Sequence, residues 1–209
     1  MTKIKNIIFD LGGVIINLDI DQTVKEFNRL SQTPFESIYT QLQQSPLFDW
    51  FDKGEISEYS FFEELQHALG TSISHQNIIH AWNAMLLDFP LRRLELLKTL
   101  QPNYRLFLLS NTNETHITEF EKILYEQHGY KNLESFFEKV YYSCRIGLRK
   151  PNSDIFEFVL KNHGLEPKET LFIDDTLQHV EGAKKAGING KLLKKNEEVD
   201  ELLRYMNLV

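Results

Sequence analysis

The sequence predicts an α/β fold: a parallel sheet with helices on both faces and a helical subdomain inserted behind its first strand. Two observations carry this. Three short apolar runs, Ile4–Phe9, Leu106–Leu109 and Leu171–Ile173, each stop at a polar cluster: Asp10-Leu11-Gly12-Gly13, Ser110-Asn111-Thr112-Asn113 and Asp174-Asp175-Thr176. Buried strands ending in polar turns and separated by helical spacers read in this way when the strands are parallel. Residues 20–87, by contrast, carry apolar residues at helical spacing and no strong strand signal. Right-handed crossovers then bring the polar clusters to one edge of the sheet, a Rossmann-like arrangement.

The first run ends at Asp10 on the carboxyl edge, where open α/β sheets place their chemistry. Gly12 and Gly13 let the backbone bend there. On these residues alone, helix capping and catalysis stay equally open for Asp10. The insert shows Val24, Phe27 and Leu30, then Phe61, Phe62, Leu65 and Leu69, then Ile78, Ile79, Trp82 and Leu86. Thr33-Pro34, Ser45-Pro46, Lys53-Gly54-Glu55 and Gly70-Thr71-Ser72 divide it into four or five helices. Phe48, Trp50 and Phe51, like Trp82, read as the core of this insert rather than as a sugar-stacking platform. The expected division is 1–17 with 88–209 as the α/β domain and 18–87 as the insert. Glu95–Leu100 and Phe156–Leu160 supply helices of the main domain, and Val140–Ser143 and Lys191–Leu193 a fourth and fifth strand.

The chain of 209 residues has a net charge of −7, so no basic surface points to nucleic acid or to a membrane. Anionic substrates remain admissible, because a metal and local dipoles hold them against an acidic background. The single Cys144 excludes an internal disulfide framework and an all-cysteine metal site, and reads as a small buried hydrophobe. The opening MTKIKN lacks a signal-peptide pattern and no apolar run approaches membrane-spanning length, so a cytoplasmic protein is expected.

Asp10, Ser110, Lys150 and Asp174-Asp175 thus share one sheet edge, and each has a task in phosphoryl transfer. A carboxylate can attack phosphorus and split one hard hydrolysis into two easier steps. Two anions meeting need cations, and oxygen ligands suit Mg²⁺. Lys150 adds a fixed positive charge, and Ser110, at the start of the next helix, offers a hydroxyl with neighbouring N–H groups to phosphate oxygens. Singly, each has a plainer account: Ser110 and Asn111 as helix caps, Lys150 as a solvated loop charge, Asp174-Asp175 as an N-cap. Adjacent carboxylates repel, which makes a metal the better account of the last pair.

These residues resemble the motifs of the haloacid dehalogenase-like (HAD) superfamily across essentially the whole chain. Phe9-Asp10-Leu11-Gly12-Gly13-Val14 resembles the first motif, Leu108-Leu109-Ser110-Asn111-Thr112 the second, Arg149-Lys150-Pro151 the third and Phe172-Ile173-Asp174-Asp175-Thr176 the fourth. Gly182-Ala183 and Ala186-Gly187-Ile188 come next as in many members, and the insert resembles the superfamily's first class of cap. The resemblance implies Asp10 as nucleophile and metal ligand, Ser110 with Asn111 and Lys150 as phosphate binders, and Lys150 also as a catalytic group. It implies Asp175 and the Gly12 carbonyl as further Mg²⁺ ligands, with Asp174 behind them. The Asp-Leu-Gly start, Ser-Asn-Thr-Asn and the loop Lys53–Ser57 are similar to bacterial sugar-phosphate phosphatases that include glucose-1-phosphate phosphatases. The resemblance therefore implies a Mg²⁺-dependent phosphatase of a small phosphorylated metabolite, such as a sugar phosphate, working through an aspartyl-phosphate.

The pattern breaks at Gly12, where such phosphatases carry a second Asp as general acid and base. Its carbonyl can still serve the metal, but a positioned proton donor commonly worth about 10²–10⁴-fold is missing. An anomeric leaving oxygen would ease that loss. His116, one turn past Ser110, is a candidate substitute acid, with a helix-surface histidine as its alternative. Glu55 or Lys53 is a candidate for reaching sugar hydroxyls, with a solvated helix connection as the alternative. Two other functions stay open. A metal-independent 2-haloacid dehalogenase also lacks the second Asp but typically carries Ser-Asn at the fourth motif, and a regulatory protein of the same fold need not turn over.

Overall fold

The computed structural model of the chain describes residues 3–39 and 46–209. Met1 and Thr2 of the opening stretch, and Ser45 of the Ser45-Pro46 breaker, lie outside the described residues. In chain order the elements are β1 (Asn6–Phe9), α1 (Ile20–Leu30), α2 (Pro46–Asp52), α3 (Glu58–Leu69), α4 (His75–Asn83), α5 (Leu91–Leu100), β2 (Arg105–Ser110) and α6 (Glu114–His128). After them come β3 (Lys139–Tyr142), α7 (Ser143–Ile146), α8 (Ser153–His163), β4 (Thr170–Asp174), α9 (Leu177–Lys185), β5 (Asn189–Leu192) and α10 (Val199–Tyr205).

The strands form one sheet in the order β3-β2-β1-β4-β5, and every neighbouring pair is parallel. β1 is central, which is why Ile7, Ile8 and Phe9 are all fully buried. Its side chains alternate between two cores. Ile7 and Phe9 join Leu106, Leu108, Leu171 and Ile173 under α5, α6 and α10. Ile8 joins Phe107, Leu109 and Phe172 under α8 and α9. A strand buried on both faces has no polar alternation, so it reads in sequence as a continuous apolar run. The strand edges differ from expectation by a residue or two: β1 begins at Asn6, not Ile4; β3 ends at Tyr142, with Ser143 opening α7; and β5 spans Asn189–Leu192, not Lys191–Leu193.

The insert packs around its own aromatic cluster, with Phe27, Phe48, Phe51, Phe61 and Trp82 all buried. Phe27 stacks on Phe35 with ring centroids 4.3 Å apart, and Phe51 on Phe61 at 4.0 Å. Trp50 departs from the expected core role: it is 47% exposed, because α2 turns it away from the face that carries Phe48 and Phe51. The chain enters and leaves the insert side by side. Asn17 N–H donates to the Asp88 carbonyl at 2.9 Å, Leu87 N–H to the Asn17 carbonyl at 3.0 Å, and Leu18 bridges Leu86. Cys144 is partly buried against the sheet core. Among the described residues no helix is long and apolar enough to cross a membrane.

Candidate active site

The sheet register fixes Asp10. Its N–H donates to the Ile173 carbonyl at 2.9 Å, one residue beyond the pairing of Phe9 with Leu108 and Ile173. The N–H groups of Ile15 and Ile16 both fold back to the Leu11 carbonyl, at 2.8 and 3.0 Å, closing the next turn. Lys150 reaches this point from the loop before α8 and is fully buried, so the solvated-lysine alternative fails. Its Nζ donates to Asp10 Oδ1 and to Asp174 Oδ2, each at 2.7 Å. Burial alone would lower a lysine, but the Asp10 and Asp174 carboxylates hold it above its ordinary value.

The expected place of Ser110 needs correction. Ser110 is not at a helix start: it is the last residue of β2, and α6 begins at Glu114, capped by the Asn113 side chain, which accepts from the His116 N–H. Among the described residues the Ser110 hydroxyl makes one long hydrogen bond, to the Asn111 carbonyl at 3.5 Å, and so is available to a ligand. Asn111, expected to bind substrate, lines the cavity, and its side chain clamps the backbone of Lys150, Nδ2 donating to the Lys150 carbonyl and Oδ1 accepting its N–H, both at 2.9 Å. Asn111 therefore positions the lysine.

Asp10, Asp174 and Asp175 bring one carboxylate oxygen each to within 4.8 Å of one another. Asp174 is already committed. Oδ2 takes Lys150 at 2.7 Å and Oδ1 takes the Thr176 N–H at 2.8 Å, and His179 Nδ1–H lies 3.1 and 3.0 Å from the two oxygens. Burial would raise its carboxyl, yet Lys150 and His179 keep it at about 2. Asp10 goes the other way: burial and the Asp174 charge push it up to about 8. Burial and Asp174 raise Asp175 as well. A buried and a partly buried carboxyl that resist ionisation beside a third are what a divalent cation with hard oxygen preference relieves. The carboxylate oxygens of this cluster are a donor set that fits Mg²⁺.

The glycines explain why this turn is spelled as it is. Gly13 has φ +68°, and a Cβ there would stand 2.4 Å from Asp175 Oδ2, so any side chain would displace that carboxylate. A Cβ on Gly12 would stand 2.7 Å from Leu18 Cδ1. Leu18, arriving from the insert crossing, packs against position 12, and a side chain there would have to push its methyl group aside.

A cavity of about 140 Å³ joins this edge to the insert, lined by Asp10, Ser110, Lys150 and Asp175 on one side and by Leu18, Tyr39, Asp52, Trp82 and Met85 on the other. Glu55 is not in its wall. Its carboxylate pairs with Lys53 at 2.5 Å and is half exposed. Gly54, with φ +68°, seats the turn against α7 instead, so closely that a Cβ there would stand 2.2 Å from the Cys144 carbonyl oxygen. The insert carboxylate that does line the cavity is Asp52, missed in the sequence. It accepts from Asn113 Nδ2 at 3.4 Å and lies 3.6 Å from Arg149 Nη2. Burial, against the pull of Arg149, raises it to about 6.

His116, the candidate substitute acid, is neither a surface residue nor an acid at neutral pH. It is buried and stacked on Trp82 at 4.9 Å, its Nδ1–H donates to Asn83 Oδ1 at 2.8 Å, and burial lowers it to about 3. At neutral pH the ring is uncharged and has no acidic proton to give.

The sequence profile of the haloacid dehalogenase-like hydrolases matches residues 4–187. The D-ribitol-5-phosphate phosphatase of Bacteroides thetaiotaomicron is 31% identical over 184 residues, 88% of this chain and 89% of that protein. The wild-type crystal structure of a HAD family enzyme from the same organism, in complex with magnesium and inorganic phosphate, superposes with a TM-score of 0.85 at 34% identity, covering 96% of this chain and 100% of that one. An L-2-haloacid dehalogenase superposes over 99% of this chain with a TM-score of 0.65 at 14% identity, a likeness of fold alone.

Proposed function

The chain belongs to the haloacid dehalogenase-like hydrolase family, and from that premise we propose a Mg²⁺-dependent phosphomonoesterase that acts on a small sugar or polyol phosphate through an aspartyl-phosphate on Asp10. The observation that carries this reading is the Lys150 ammonium held 2.7 Å from both Asp10 and Asp174, beside the Asp175 carboxylate. That ammonium, together with a divalent cation on the clustered carboxylates, would offset the charge of an attacking carboxylate and a dianionic ester in one place.

In this mechanism Asp10 attacks phosphorus through Oδ2, since Oδ1 is held by Lys150. The lysine orients the nucleophile and favours its ionised form, which Mg²⁺ on the same carboxylate would complete, and Asn111 keeps the lysine in place. The Ser110 hydroxyl donates to a phosphate oxygen. Mg²⁺ bound by Asp10, Asp175 and the Gly12 carbonyl supplies the remaining charge neutralisation. The insert, residues 18–87, closes over the ester and excludes water, as lids over phosphoryl sites do. The D-ribitol-5-phosphate phosphatase relative directs the substrate toward a polyol phosphate.

A 2-haloacid dehalogenase reading fares worse on the chemistry. Asp174 and Asp175 stand beside the nucleophile, and without a metal they repel the carboxylate of a haloacid. The deciding assay is phosphate release from ribitol 5-phosphate, glucose 1-phosphate and p-nitrophenyl phosphate with Mg²⁺ or EDTA, run beside halide release from 2-chloropropionate. Turnover of phosphate esters that EDTA abolishes is expected. At a Mg²⁺ concentration of about 100 Kd the fold also gains about 2.7 kcal/mol, visible as a raised melting temperature. Metal-independent halide release overturns the proposal.

A further inference from the structure

Gly12 leaves the site without a proton donor at the usual place, where the Leu18 side chain packs instead. We propose that Asp52 takes that role from the opposite wall, protonating the ester oxygen as it leaves and deprotonating the water that later cleaves the aspartyl-phosphate. The inference rests on the phosphomonoesterase reading above.

Geometry comes first. In phosphoryl transfer the leaving oxygen departs roughly in line with and opposite to the attacking atom. With Asp10 on the sheet edge, the donor must stand on the insert side of the cavity, and Asp52, the last residue of α2, lines that wall. Other titratable groups lining the cavity are committed elsewhere. Lys150 is bonded to Asp10 and Asp174, and His179 to Asp174. Asp175 belongs to the acidic cluster on the sheet side. His116 has no acidic proton, and burial makes the Tyr39 phenol a weaker acid than usual. Among the described residues of the insert wall, Asp52 alone combines an acidic proton with loose tethers: 3.4 Å from Asn113 Nδ2 and 3.6 Å from Arg149 Nη2. The short bond of that arginine, at 2.5 Å, goes to Asp49.

The charged and titratable groups around Asp52 are Asp49 on its own helix, Arg149 before the catalytic lysine, Tyr39 across the cavity and Cys144 on α7; Asn113 is uncharged. Burial outweighs Arg149, so protonated and ionised forms coexist near neutral pH, which suits a group that must act as acid and then as base. Atoms balance over the cycle. In the first step the Asp10–phosphorus bond forms, the ester P–O bond breaks, and the Asp52 proton passes to the alkoxide to give the alcohol. In the second, water bonds to phosphorus, the Asp10–phosphorus bond breaks, and the water proton returns to Asp52.

Asp52→Asn tests this through leaving groups. Nitrophenolate departs without a proton and a ribitol alkoxide does not. In the variant, kcat/KM for ribitol 5-phosphate falls by about 10²–10⁴-fold while that for p-nitrophenyl phosphate falls by less than about tenfold. In the wild type, kcat/KM for alkyl esters declines as pH rises through the Asp52 titration, and the dependence of rate on leaving-group acidity steepens above it. This second measurement needs no variant to fold. Equal losses on both esters, or a leaving-group dependence that is the same at low and high pH, overturn the proposal. A wild-type protein silent on both esters with Mg²⁺ overturns the phosphatase reading itself, and Asp52's role with it.

Discussion

Asp10→Asn lowers kcat/KM for phosphate esters by at least about 10⁴-fold, the scale on which loss of a nucleophile acts, in a protein that still folds. The amide keeps an oxygen for the 2.7 Å bond from Lys150 and cannot form an acyl-phosphate. It also removes a conflict built into the metal-free fold. The folded chain holds the Asp10 carboxyl at about 8, whereas an unfolded chain releases that proton near about 4. Between those limits the folded state binds more protons than the unfolded one, so metal-free stability falls as pH rises from about 4 to about 8. Melting temperatures in EDTA should show that decline for the wild type and a flatter curve for Asp10→Asn. Equal slopes would mean that Asp10 is not the strained carboxyl.

Lys150→Met is the largest expected loss of stability. The ammonium is fully buried between Asp10 and Asp174, and removing one partner from a buried ionic group costs about 3–5 kcal/mol because the other is left uncompensated. For a chain of this size each kcal/mol moves the midpoint by about 2–4 °C, so the melting temperature drops by roughly 6–20 °C in metal-free buffer. Mg²⁺ recovers part of it by supplying positive charge to the same carboxylates. Thermal denaturation with and without Mg²⁺ measures both effects, and a drop below about 3 °C contradicts the ion-pair account.

The sheet was legible at its three central strands because each is buried on both faces and stops at a polar turn. Phe9-Asp10, Leu109-Ser110 and Ile173-Asp174 are visible in the letters, while strand starts such as Asn6 are not, since a neighbouring strand decides where pairing begins. Within the site, Asp10, Lys150, Asp174 and Asp175 could be read from order along the chain, and they converge. The bond of Asn111 to the Lys150 backbone could not be read locally, because that partner lies 39 residues away. His116 sits at ordinary helical spacing, and nothing local announces that Trp82 stacks on it. Glu55 drew notice because the Lys-Gly-Glu turn is conspicuous, and Asp52 beside it carries no such local signal. Only the seating of Gly54 on the Cys144 carbonyl turns Glu55 outward and leaves Asp52 in the cavity wall. Tertiary packing, invisible in any short window, made each of these choices.

The central claim is that Asp10 carries the phosphoryl group. Mixing the Mg²⁺-loaded protein with a phosphate ester bearing ³²P, quenching in acid within one turnover and mapping the peptides measures this directly. The label should sit on the peptide that contains Asp10, leave on treatment with hydroxylamine as an acyl-phosphate does, and be absent from Asp10→Asn. Full turnover with no label on that peptide would contradict the account.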